Sequence, residues 1–250
     1  MKKIIVANWK MNPRSIKEAE LIFKDLSLLV KSSKNSEVVV CPPFPFLLAY
    51  KNIKNKNIIL GAQNAAVEFE GSYTGEISPS MLKSLNVSYV ILGHGERRLL
   101  GETNSIINKK ILNILKSKLS PILCVGESVR DVDGVYLTFI KHQIDECLVS
   151  YPKAQIKNLV IAYEPIWAIG KGAVREATPE EFTEMKIFIK KIISDMYDIK
   201  TANLLRVIYG GSVNSFNAES FIKLGNADGL LVGRESLSPK KFSAILKVAQ

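Results

Sequence analysis

The sequence predicts an α/β protein, a (β/α)8 barrel of eight parallel strands surrounded by helices. Three observations lead to this prediction. Short apolar runs and amphipathic stretches alternate along the whole chain. Eight such runs occur in 250 residues, so each repeat takes about 31 residues, the size of one strand–helix unit. Polar and glycine residues follow the runs, and eight units of this kind close into a barrel more naturally than they stay open.

The predicted strands are short, continuous apolar runs, which are typical of strands buried on both faces. In chain order they cover residues 3–7, 38–41, 58–62, 89–93, 121–125, 159–163, 205–209 and 229–232. No linker rich in Pro, Gly or Ser and no low-complexity tract interrupts the series. We therefore expect residues 1–250 to form a single barrel domain.

Helix signals occur between the strands, and the clearest is Thr178-Pro179-Glu180-Glu181. Threonine can cap a helix, proline fits the first turn, and Glu181 can complete a capping box. Ser238-Pro239 opens a last helix in a similar way. After Glu181, apolar residues recur at helical spacing and give one face that can lie on the sheet. These residues are Phe182, Met185, Phe188, Ile189, Ile192 and Ile193.

Composition and the N-terminal sequence indicate a soluble, cytoplasmic protein. Apolar residues make up 47% of the chain, yet no apolar run approaches the roughly eighteen residues that span a bilayer. The start, MKKIIVANWK, lacks the hydrophobic region and the small-residue cleavage site of a signal peptide. The cysteines, Cys41, Cys124 and Cys147, are odd in number and have no CxxC spacing, which argues against a disulfide framework or a zinc site.

The net charge of +10 arises from 34 Lys and Arg against 24 Asp and Glu, and it suits either nucleic acid or a small anionic substrate. No basic run interleaved with aromatic residues and no nucleic-acid motif is present. We interpret the lysines as solvated helix faces that also steer an anion, and we expect no nucleic-acid partner. Examples of these lysines are Lys109, Lys110, Lys116, Lys186, Lys190 and Lys191.

The stretch AYEPIWAIGKG, residues 162–172, leads from an apolar strand directly into a carboxylate, a proline and a glycine-bounded loop. Glutamate is rarely buried without a partner or a task. Glu164 at the tip of such a strand is therefore predicted to be a base in a low-dielectric pocket, and the alternative is an edge carboxylate in water.

Polar and glycine residues follow most of the other predicted strands. In barrels of this kind the chemistry sits at the C-terminal rim, and the loops after strands seven and eight commonly hold a phosphate. Glycine suits that task because it lets backbone N–H groups approach an anion closely. The strand tips carry Asn8, Lys10, Gln63, Asn64, His94, Glu96, Glu127, Gly210, Gly211, Ser212 and Gly233.

Eight blocks, in order along almost the whole chain, resemble the triosephosphate isomerase family. They are NWKMN (8–12), CPPFPFL (41–47), GAQN (61–64), YTGEIS (73–78), ILGHGERR (91–98), PILCVGE (121–127), AYEPIWAIG (162–170) and YGGSV (209–213). The resemblance implies a TIM barrel that interconverts dihydroxyacetone phosphate and D-glyceraldehyde 3-phosphate in glycolysis and gluconeogenesis. It also implies a homodimer that uses no cofactor and no metal.

Moving a carbonyl between adjacent carbons needs a base, an electrophile that stabilises an enediolate, and a phosphate site. The resemblance implies that Glu164 is the general base and that neutral His94 polarises the carbonyl, a pairing for which triosephosphate isomerase is the standard example. Closure of residues 165–172 over the substrate would exclude water from the base. The second histidine, His142, lies on a helix flanked by lysine and acid, and we expect it at the surface.

Lys10 would pair with the substrate anion and stabilise its negative charge. Asn8 would line the floor of the same site. The alternative for Lys10 is a free surface lysine. The resemblance further implies that Glu96 holds Lys10 in place, as a carboxylate near an ammonium can.

The resemblance assigns the phosphate to Gly170, Ser212 and Gly233, with one further N–H from Arg234. Cys124 resembles a structurally important family cysteine and is expected to be a buried packing residue. Thr74, in the loop after the third strand, would reach into the site of a partner subunit.

Three positions depart from the pattern of the family. Gly95 stands where a serine usually holds the resting base, and Lys171 replaces a threonine of the loop. Arg234-Glu235 replaces Gly-Ala, so Arg234 would be strained if its position needed a positive φ.

Two other classes of protein stay open at this point. A different phosphate-binding barrel enzyme, such as a lyase acting on an indole or sugar phosphate, would share the glycine rim but lack the joint set of Lys10, His94 and Glu164. A catalytically silent barrel that binds a phosphorylated ligand or a protein would keep the fold without those residues. Nucleic-acid binding is a more distant alternative that rests on charge alone.

Overall fold

The protein is described here by a computed structural model that covers residues 1–32, 35–50, 53, 55 and 57–249, apart from the side chains of residues 32 and 171. The end of the predicted domain, Gln250, lies outside these residues. Within them, eight parallel strands close into a barrel in sequence order. The strands are β1 (Lys3–Asn8), β2 (Ser36–Cys41), β3 (Ile58–Ala62), β4 (Tyr89–Leu92), β5 (Ser120–Val125), β6 (Val160–Tyr163), β7 (Arg206–Tyr209) and β8 (Gly229–Val232).

The predicted fold class and all eight predicted strands are confirmed, with boundaries that shift by no more than a few residues. Closure is visible in β1, where Val6 pairs with Val39 of β2 on one side and with Leu231 of β8 on the other. Because all strands run in one direction, their carboxyl ends and the loops that follow meet at one rim.

Two layers of apolar side chains hold the barrel together. Alternate strand residues point inward, and this inner layer includes Ile4, Val6, Ile91 and Ile208, each with almost no exposed surface. The residues between them point outward and pack against the helices in a larger outer layer. Burial on both faces explains why the strands appear in the sequence as continuous apolar runs.

Nine α-helices lie in the part of the chain that the structure describes, and most of them cover the outside of the barrel. They are α1 (Ile16–Leu29), α2 (Pro79–Ser84), α3 (Gly95–Leu99), α4 (Asn104–Lys116), α5 (Val135–Cys147), α6 (Pro179–Met196), α7 (Ile199–Leu204), α8 (Ala218–Lys223) and α9 (Pro239–Val248). Between β2 and β3, the segment Phe44–Tyr50 forms a 3₁₀ helix.

The predicted start of α6 is confirmed in detail. Thr178 and Glu181 exchange the two hydrogen bonds of a capping box, and Pro179 occupies the first turn. Five of the six predicted apolar residues of this helix are buried, and Phe188 is partly buried against the same core. The last helix also begins at Pro239 as predicted, but the Ser238 side chain makes no capping hydrogen bond.

The interpretation of the lysines as solvated faces is wrong for two of them. Lys110 is 4% exposed, and its Nζ donates to Glu102 Oε1 at 2.6 Å and to Asn64 Oδ1 at 2.9 Å. Lys186 is 8% exposed and its Nζ donates to Asp228 Oδ1 at 2.9 Å. A lysine can be buried where its charge is paired and its donors are bonded, and the carboxylate partners come from distant parts of the sequence.

His142 lies on α5 with a side chain that is 63% exposed, which confirms its predicted surface position. Among the helices of the described ranges, no helix has the length and apolar character required to cross a membrane.

Candidate active site

A cavity of about 250 Å³ opens at the carboxyl ends of the strands. Its wall combines titratable groups with glycines and apolar side chains. The lining residues are Asn8, Lys10, His94, Gly95, Glu96, Leu99, Glu164, Ile166, Ile169, Gly170, Gly210, Gly211, Leu231 and Gly233. The structure thus brings together the predicted base, electrophile and lysine, although they are far apart in the sequence.

Glu164 follows the last residue of β6 and is 2% exposed. Its backbone N–H donates to Val125 O of the neighbouring strand at 2.8 Å, which fixes the point where the side chain leaves the barrel. Oε2 accepts a hydrogen bond from the backbone N–H of Gly95 at 3.1 Å. Oε1 lies 3.2 Å from His94 Nε2. The expectation that the carboxylate is buried is therefore met.

His94 ends the loop after β4 and caps α3. Its Nδ1 accepts from the backbone N–H of Glu96 at 3.2 Å, which in a neutral ring leaves the proton on Nε2. Nε2 then points at the Glu164 carboxylate and at the cavity. The local turn of backbone therefore sets which nitrogen of the imidazole can donate to a ligand.

Lys10 lies two residues beyond β1 in a left-handed backbone conformation, with φ of 54°. Three contacts hold it there: its N–H donates to Asn8 Oδ1 at 3.1 Å, its carbonyl accepts from Gln63 Nε2 at 2.9 Å, and its Nζ lies 2.6 Å from Glu96 Oε1. A left-handed lysine is uncommon and is kept by surrounding contacts. These contacts direct the ammonium group into the cavity.

The lid, residues 165–172, consists of two short 3₁₀ turns, Ile166–Ala168 and Gly170–Gly172. Trp167 anchors it, because its Nε1 donates to Glu127 Oε1 at 2.8 Å. Tyr163 donates its hydroxyl to the same oxygen at 2.7 Å. Burial raises the pKa of Glu127, and the hydrogen bonds from Trp167 and Tyr163 partly offset this shift.

The glycine-lined end of the cavity consists of Gly170 of the lid, with φ of 74°, and of Gly211 and Gly233 from the loops after β7 and β8. It adjoins Lys10, because a Cβ built on Gly233 would lie 3.6 Å from Lys10 Cε. Two other predicted phosphate residues are outside the cavity wall. Ser212 donates its hydroxyl to Ala168 O of the lid at 3.0 Å, and Arg234 is the exposed first residue of the 3₁₀ turn Arg234–Leu237.

The two remaining site residues lie away from the cavity wall. Cys124 is fully buried in the inner layer of the barrel, and burial raises the pKa of its thiol, with a further contribution from the Glu164 charge. Thr74 lies in an exposed loop after β3.

The departures at positions 95, 171 and 234 have different outcomes. Gly95 has no hydroxyl, but its backbone N–H binds the resting Glu164 carboxylate directly. Arg234 does not have a positive φ, so the strain considered for that position does not arise. The side chain of Lys171 lies outside the described residues.

Sequence reasoning missed the apolar part of the wall. Ile166, Ile169 and Leu231 line the cavity, and an isoleucine or leucine beside a strand carries no signal that separates a cavity wall from a core. It also missed Gln63 as a support for Lys10, although Gln63 was noted as a strand tip. The signal available in the sequence for this role was that Gln63 is a polar side chain directly after a strand.

A larger cavity, about 680 Å³, lies between Phe44–Tyr50, β3 and α2. We place the chemistry in the smaller cavity, because the wall of the larger one is mainly leucine, isoleucine, serine and asparagine and has no carboxylate, imidazole or amine among the described residues. It also borders residues 51–56, four of which lie outside the description.

A carboxylate and an imidazole in contact, beside an ammonium group and a glycine-lined end, are suited to proton transfer on a small anion. With the site at the carboxyl ends of eight parallel strands, fold and site together define an enzyme of the (β/α)8 barrel class.

Comparison with known proteins narrows this class to one family. The family profile described as Triosephosphate isomerase matches residues 3–249. A protein named triosephosphate isomerase from Dictyoglomus thermophilum is 46% identical over 249 residues, which cover 98% of this chain and 99% of the relative. Proteins of the same name from Clostridium botulinum strain Okra and Endomicrobium trichonymphae are 44% and 41% identical, covering 97% and 100% of this chain and 98% and 99% of theirs. The chain belongs to the triosephosphate isomerase family.

Proposed function

We propose that Glu164, His94 and Lys10 carry the chemistry of this chain. As a member of the triosephosphate isomerase family, the protein is an isomerase that interconverts dihydroxyacetone phosphate and D-glyceraldehyde 3-phosphate, a step of glycolysis and gluconeogenesis. One observation supports the assignment most strongly: the buried Glu164 carboxylate lies 3.2 Å from His94 Nε2, and both line a cavity with Lys10.

The reaction moves one proton between adjacent carbons. Glu164 takes a proton from the hydroxymethyl carbon of the ketone, the electron pair of that C–H bond forms the carbon–carbon double bond of an enediolate, and the carbonyl oxygen gains the negative charge. The protonated Glu164 exchanges its proton with solvent while the enediolate is bound and then protonates the neighbouring carbon, while a hydroxyl proton passes between the two oxygens. The hydroxymethyl carbon is oxidised to an aldehyde while the ketone carbon is reduced to an alcohol, so there is no net oxidation and the reaction needs no external redox cofactor.

His94 and Lys10 stabilise the charge that develops on oxygen. The Nε2–H of a neutral His94 donates a hydrogen bond to the carbonyl oxygen as it becomes negative. The Lys10 ammonium supplies positive charge in the same cavity, and Glu96 at 2.6 Å holds it in place. Asn8 contributes by fixing the Lys10 backbone at 3.1 Å.

The phosphate binds at the glycine-lined end through the N–H groups of Gly170, Gly233 and Arg234. Backbone N–H groups suit this task because they are fixed dipoles that need no reorganisation. The hydroxyl of Ser212, now bonded to Ala168 O of the lid, changes partner to the phosphate when the lid closes. Cys124 supports the site by filling the barrel interior behind Glu164.

We also propose that residues 1–250 form one catalytic domain, that the protein works as a cytoplasmic homodimer, and that it binds neither nucleic acid nor membrane. Thr74, exposed in the loop after β3, would contact the partner subunit. The chain mass is 27.8 kDa. Sedimentation equilibrium is expected to give twice this mass, and a monomer that keeps full activity would contradict the dimer.

A coupled assay tests the roles of the residues. Glu164→Asp shortens the base by one methylene, and misplacement of a catalytic group by about 1 Å can cost on the order of 100-fold in rate. We expect kcat to fall by that order while KM changes only a few-fold, because the phosphate contacts are untouched. Full activity in Glu164→Ala would show that another group is the base.

A further inference from the structure

Gly95 has no conformational reason to be glycine. It begins α3, and it is not among the glycines with a positive φ. Space is the constraint, because a Cβ built on Gly95 would lie 2.8 Å from Ile166 Cδ1, closer than real Cβ contacts. The same Cβ would lie 3.8 Å from Glu164 Oε2. The Ile166 side chain therefore occupies the volume that a side chain at position 95 would need.

Ile166 and Gly95 also separate two cavities. A second cavity of about 210 Å³ lies behind the candidate active site, and its wall includes the polar side chains of Arg98, Ser128 and Gln143. A cavity of this volume has room for several water molecules beside these polar groups, although most of its wall is apolar. The walls of both cavities share four residues, Gly95, Leu99, Glu164 and Ile166.

We propose that Ile166 is a positioning residue for the base, and that Gly95 and Ile166 act as a coupled pair. This inference rests on the proposed role of Glu164. The terminal methyl of Ile166 packs against the bare backbone of Gly95 and closes the rear of the Glu164 carboxylate. The carboxylate then keeps two defined contacts, with the Gly95 N–H and His94 Nε2, and faces the substrate cavity.

The position of Ile166 in the chain couples this packing to the lid. Ile166 is the first residue of the 3₁₀ turn Ile166–Ala168, and its N–H donates to Glu127 O at 3.0 Å. A Cβ added at position 95 must push the terminal methyl of Ile166 aside, toward the start of the lid or toward the Glu164 carboxylate. Gly211 and Gly233 of the phosphate end lie on other loops, and Gly170, the part of that end that belongs to the lid, comes four residues after Ile166. Such a change is therefore expected to reduce kcat much more than it changes KM.

The experiment is a double-mutant cycle with Gly95→Ala, Ile166→Val and the double variant, using steady-state kinetics and thermal unfolding. Gly95→Ala adds only the Cβ, and without a clash this change at a negative φ would stabilise the protein. We expect a lower unfolding midpoint and a kcat reduced at least about tenfold, with KM within about twofold. Ile166→Val removes Cδ1 and opens the space behind the carboxylate, so alone it should lower kcat by about threefold, less than Gly95→Ala does.

The double variant is expected to recover kcat to within about threefold of Ile166→Val and to restore the unfolding midpoint, because the new Cβ then fills the space left by Cδ1. The matched control is Gly95→Ala with Ile189→Val. Ile189 is fully buried on α6, which packs against β6 and β7, so the same truncation there should not recover kcat.

Three results would overturn the coupling: wild-type kcat in Gly95→Ala, a double variant no better than Gly95→Ala, or equal recovery with Ile189→Val. If Gly95→Ala does not fold, recovery of folded protein by Ile166→Val, and not by Ile189→Val, supports the proposal, and its failure contradicts it. Failure of the proposed function would appear separately, as full activity in Glu164→Gln, because the unfolding midpoints do not depend on the identity of the base.

Discussion

The Glu164 carboxylate is held by groups whose positions depend on one short turn. Gly95 N–H belongs to the first residue of α3 and His94 Nε2 to the residue that caps it, and they bind the two carboxylate oxygens at 3.1 and 3.2 Å. A backbone donor has less freedom than a hydroxyl, so the resting position of the base is set by the α3 backbone. Substitutions that move this turn should therefore affect Glu164 and His94 together.

At the same scale, the three cysteines provide a pH-dependent test of burial. Cys41, Cys124 and Cys147 are all fully buried free thiols. Burial raises the pKa of Cys147 to about 11, and it raises the pKa of Cys41 and Cys124 as well. Because the thiolate is the reactive form, we expect no reaction of the native protein with a thiol reagent at pH 8 and reaction of all three thiols in concentrated guanidinium chloride.

The sign of the thiol effect on stability follows from the same shifts. A raised thiol pKa means that the folded protein favours the protonated form, so this contribution is complete below the ordinary thiol value and decreases as pH rises toward the folded-state values. Rapid labelling of Cys147 in the native protein at neutral pH would contradict its burial against Arg98 and Asn104.

Residues with charge were the most predictable part of the site. Glu164, His94 and Lys10 stand out in the sequence because each is an ionisable side chain within two residues of the end of an apolar strand, where burial needs a reason. Ile166 and Leu231 could not be found this way, since apolar residues near strands are expected throughout the core. The hydrogen bond from Ser212 to Ala168 O could not be predicted either, because it depends on the conformation of two loops.

At the scale of elements, Glu127 ties the lid to the barrel. It follows β5, and its Oε1 accepts from Trp167 Nε1 at 2.8 Å and from Tyr163 OH at 2.7 Å. Arg130 Nη1 lies 3.8 Å from the same oxygen. Together with the bonds from Ser212 to Ala168 O and from Ile166 N–H to Glu127 O, these contacts fix the lid to the barrel.

Substitutions at Glu127 separate the effect of its hydrogen-bond-accepting oxygen from the effect of its charge. Glu127→Gln keeps an oxygen that can accept from Trp167 and Tyr163, so we expect little change in Trp167 fluorescence and in KM. Glu127→Ala leaves two buried donors without a partner and should cost about 2 kcal/mol of unfolding free energy and raise KM. Fluorescence should be measured in a Trp9→Phe background, because Trp9 is the other tryptophan. Identical spectra for Glu127→Ala and its parent would argue against the anchor.

The effect of pH on the difference in stability between the wild type and Glu127→Gln has a definite sign. Because burial raises the pKa of Glu127, the folded state favours the protonated carboxyl, and ionisation reduces stability as pH rises through the raised value. Glutamine does not ionise. The Glu127→Gln variant should therefore gain stability relative to the wild type as pH rises from the ordinary glutamate value, near 4.3, toward neutrality.

At the scale of the whole molecule, the two ends of the barrel have different tasks. The end opposite the site is closed by Glu37 of β2, Tyr89 of β4 and Arg206 of β7. Arg206 Nη1 donates to Glu37 Oε2 at 3.0 Å, Arg206 Nη2 donates to Tyr89 OH at 2.9 Å, and Tyr89 OH donates to Glu37 Oε2 at 3.0 Å. This end of the barrel usually contributes to stability and not to chemistry.

We predict that Glu37→Ala destabilises the protein without changing kcat. The change leaves the charge of Arg206 buried, and we expect a loss of about 2 kcal/mol in urea unfolding, at the low end for a buried pair because Glu37 is 32% exposed. Asp195→Ala is the control, since the pair of Lys191 and Asp195 is more than half exposed on both sides and should contribute less than about 0.5 kcal/mol. Equal losses for the two variants would contradict a structural role for the buried cluster.

The strand order and the single rim of the barrel followed from the repeated apolar runs, because burial on both faces leaves a strong signal in sequence. Hydrogen-bonded polar residues that are far apart in the sequence leave no such signal. Lys110 with Glu102 and Asn64, and Lys186 with Asp228, become partners only when distant segments pack together. The 3₁₀ segment Phe44–Tyr50, where a repeat of the pattern would place a helix, was also not predictable from periodicity.

The central claim is that Glu164 transfers a proton between adjacent carbons of a triose phosphate, and solvent exchange tests it most directly. Dihydroxyacetone phosphate incubated with the protein in D2O should exchange one hydrogen at the hydroxymethyl carbon and yield product deuterated at the adjacent carbon, as followed by NMR. Glu164→Gln, which keeps the shape but cannot accept the proton, should lose this exchange by orders of magnitude. Exchange at the wild-type rate in Glu164→Gln, or turnover by the wild type without deuterium entering either carbon, would contradict the account.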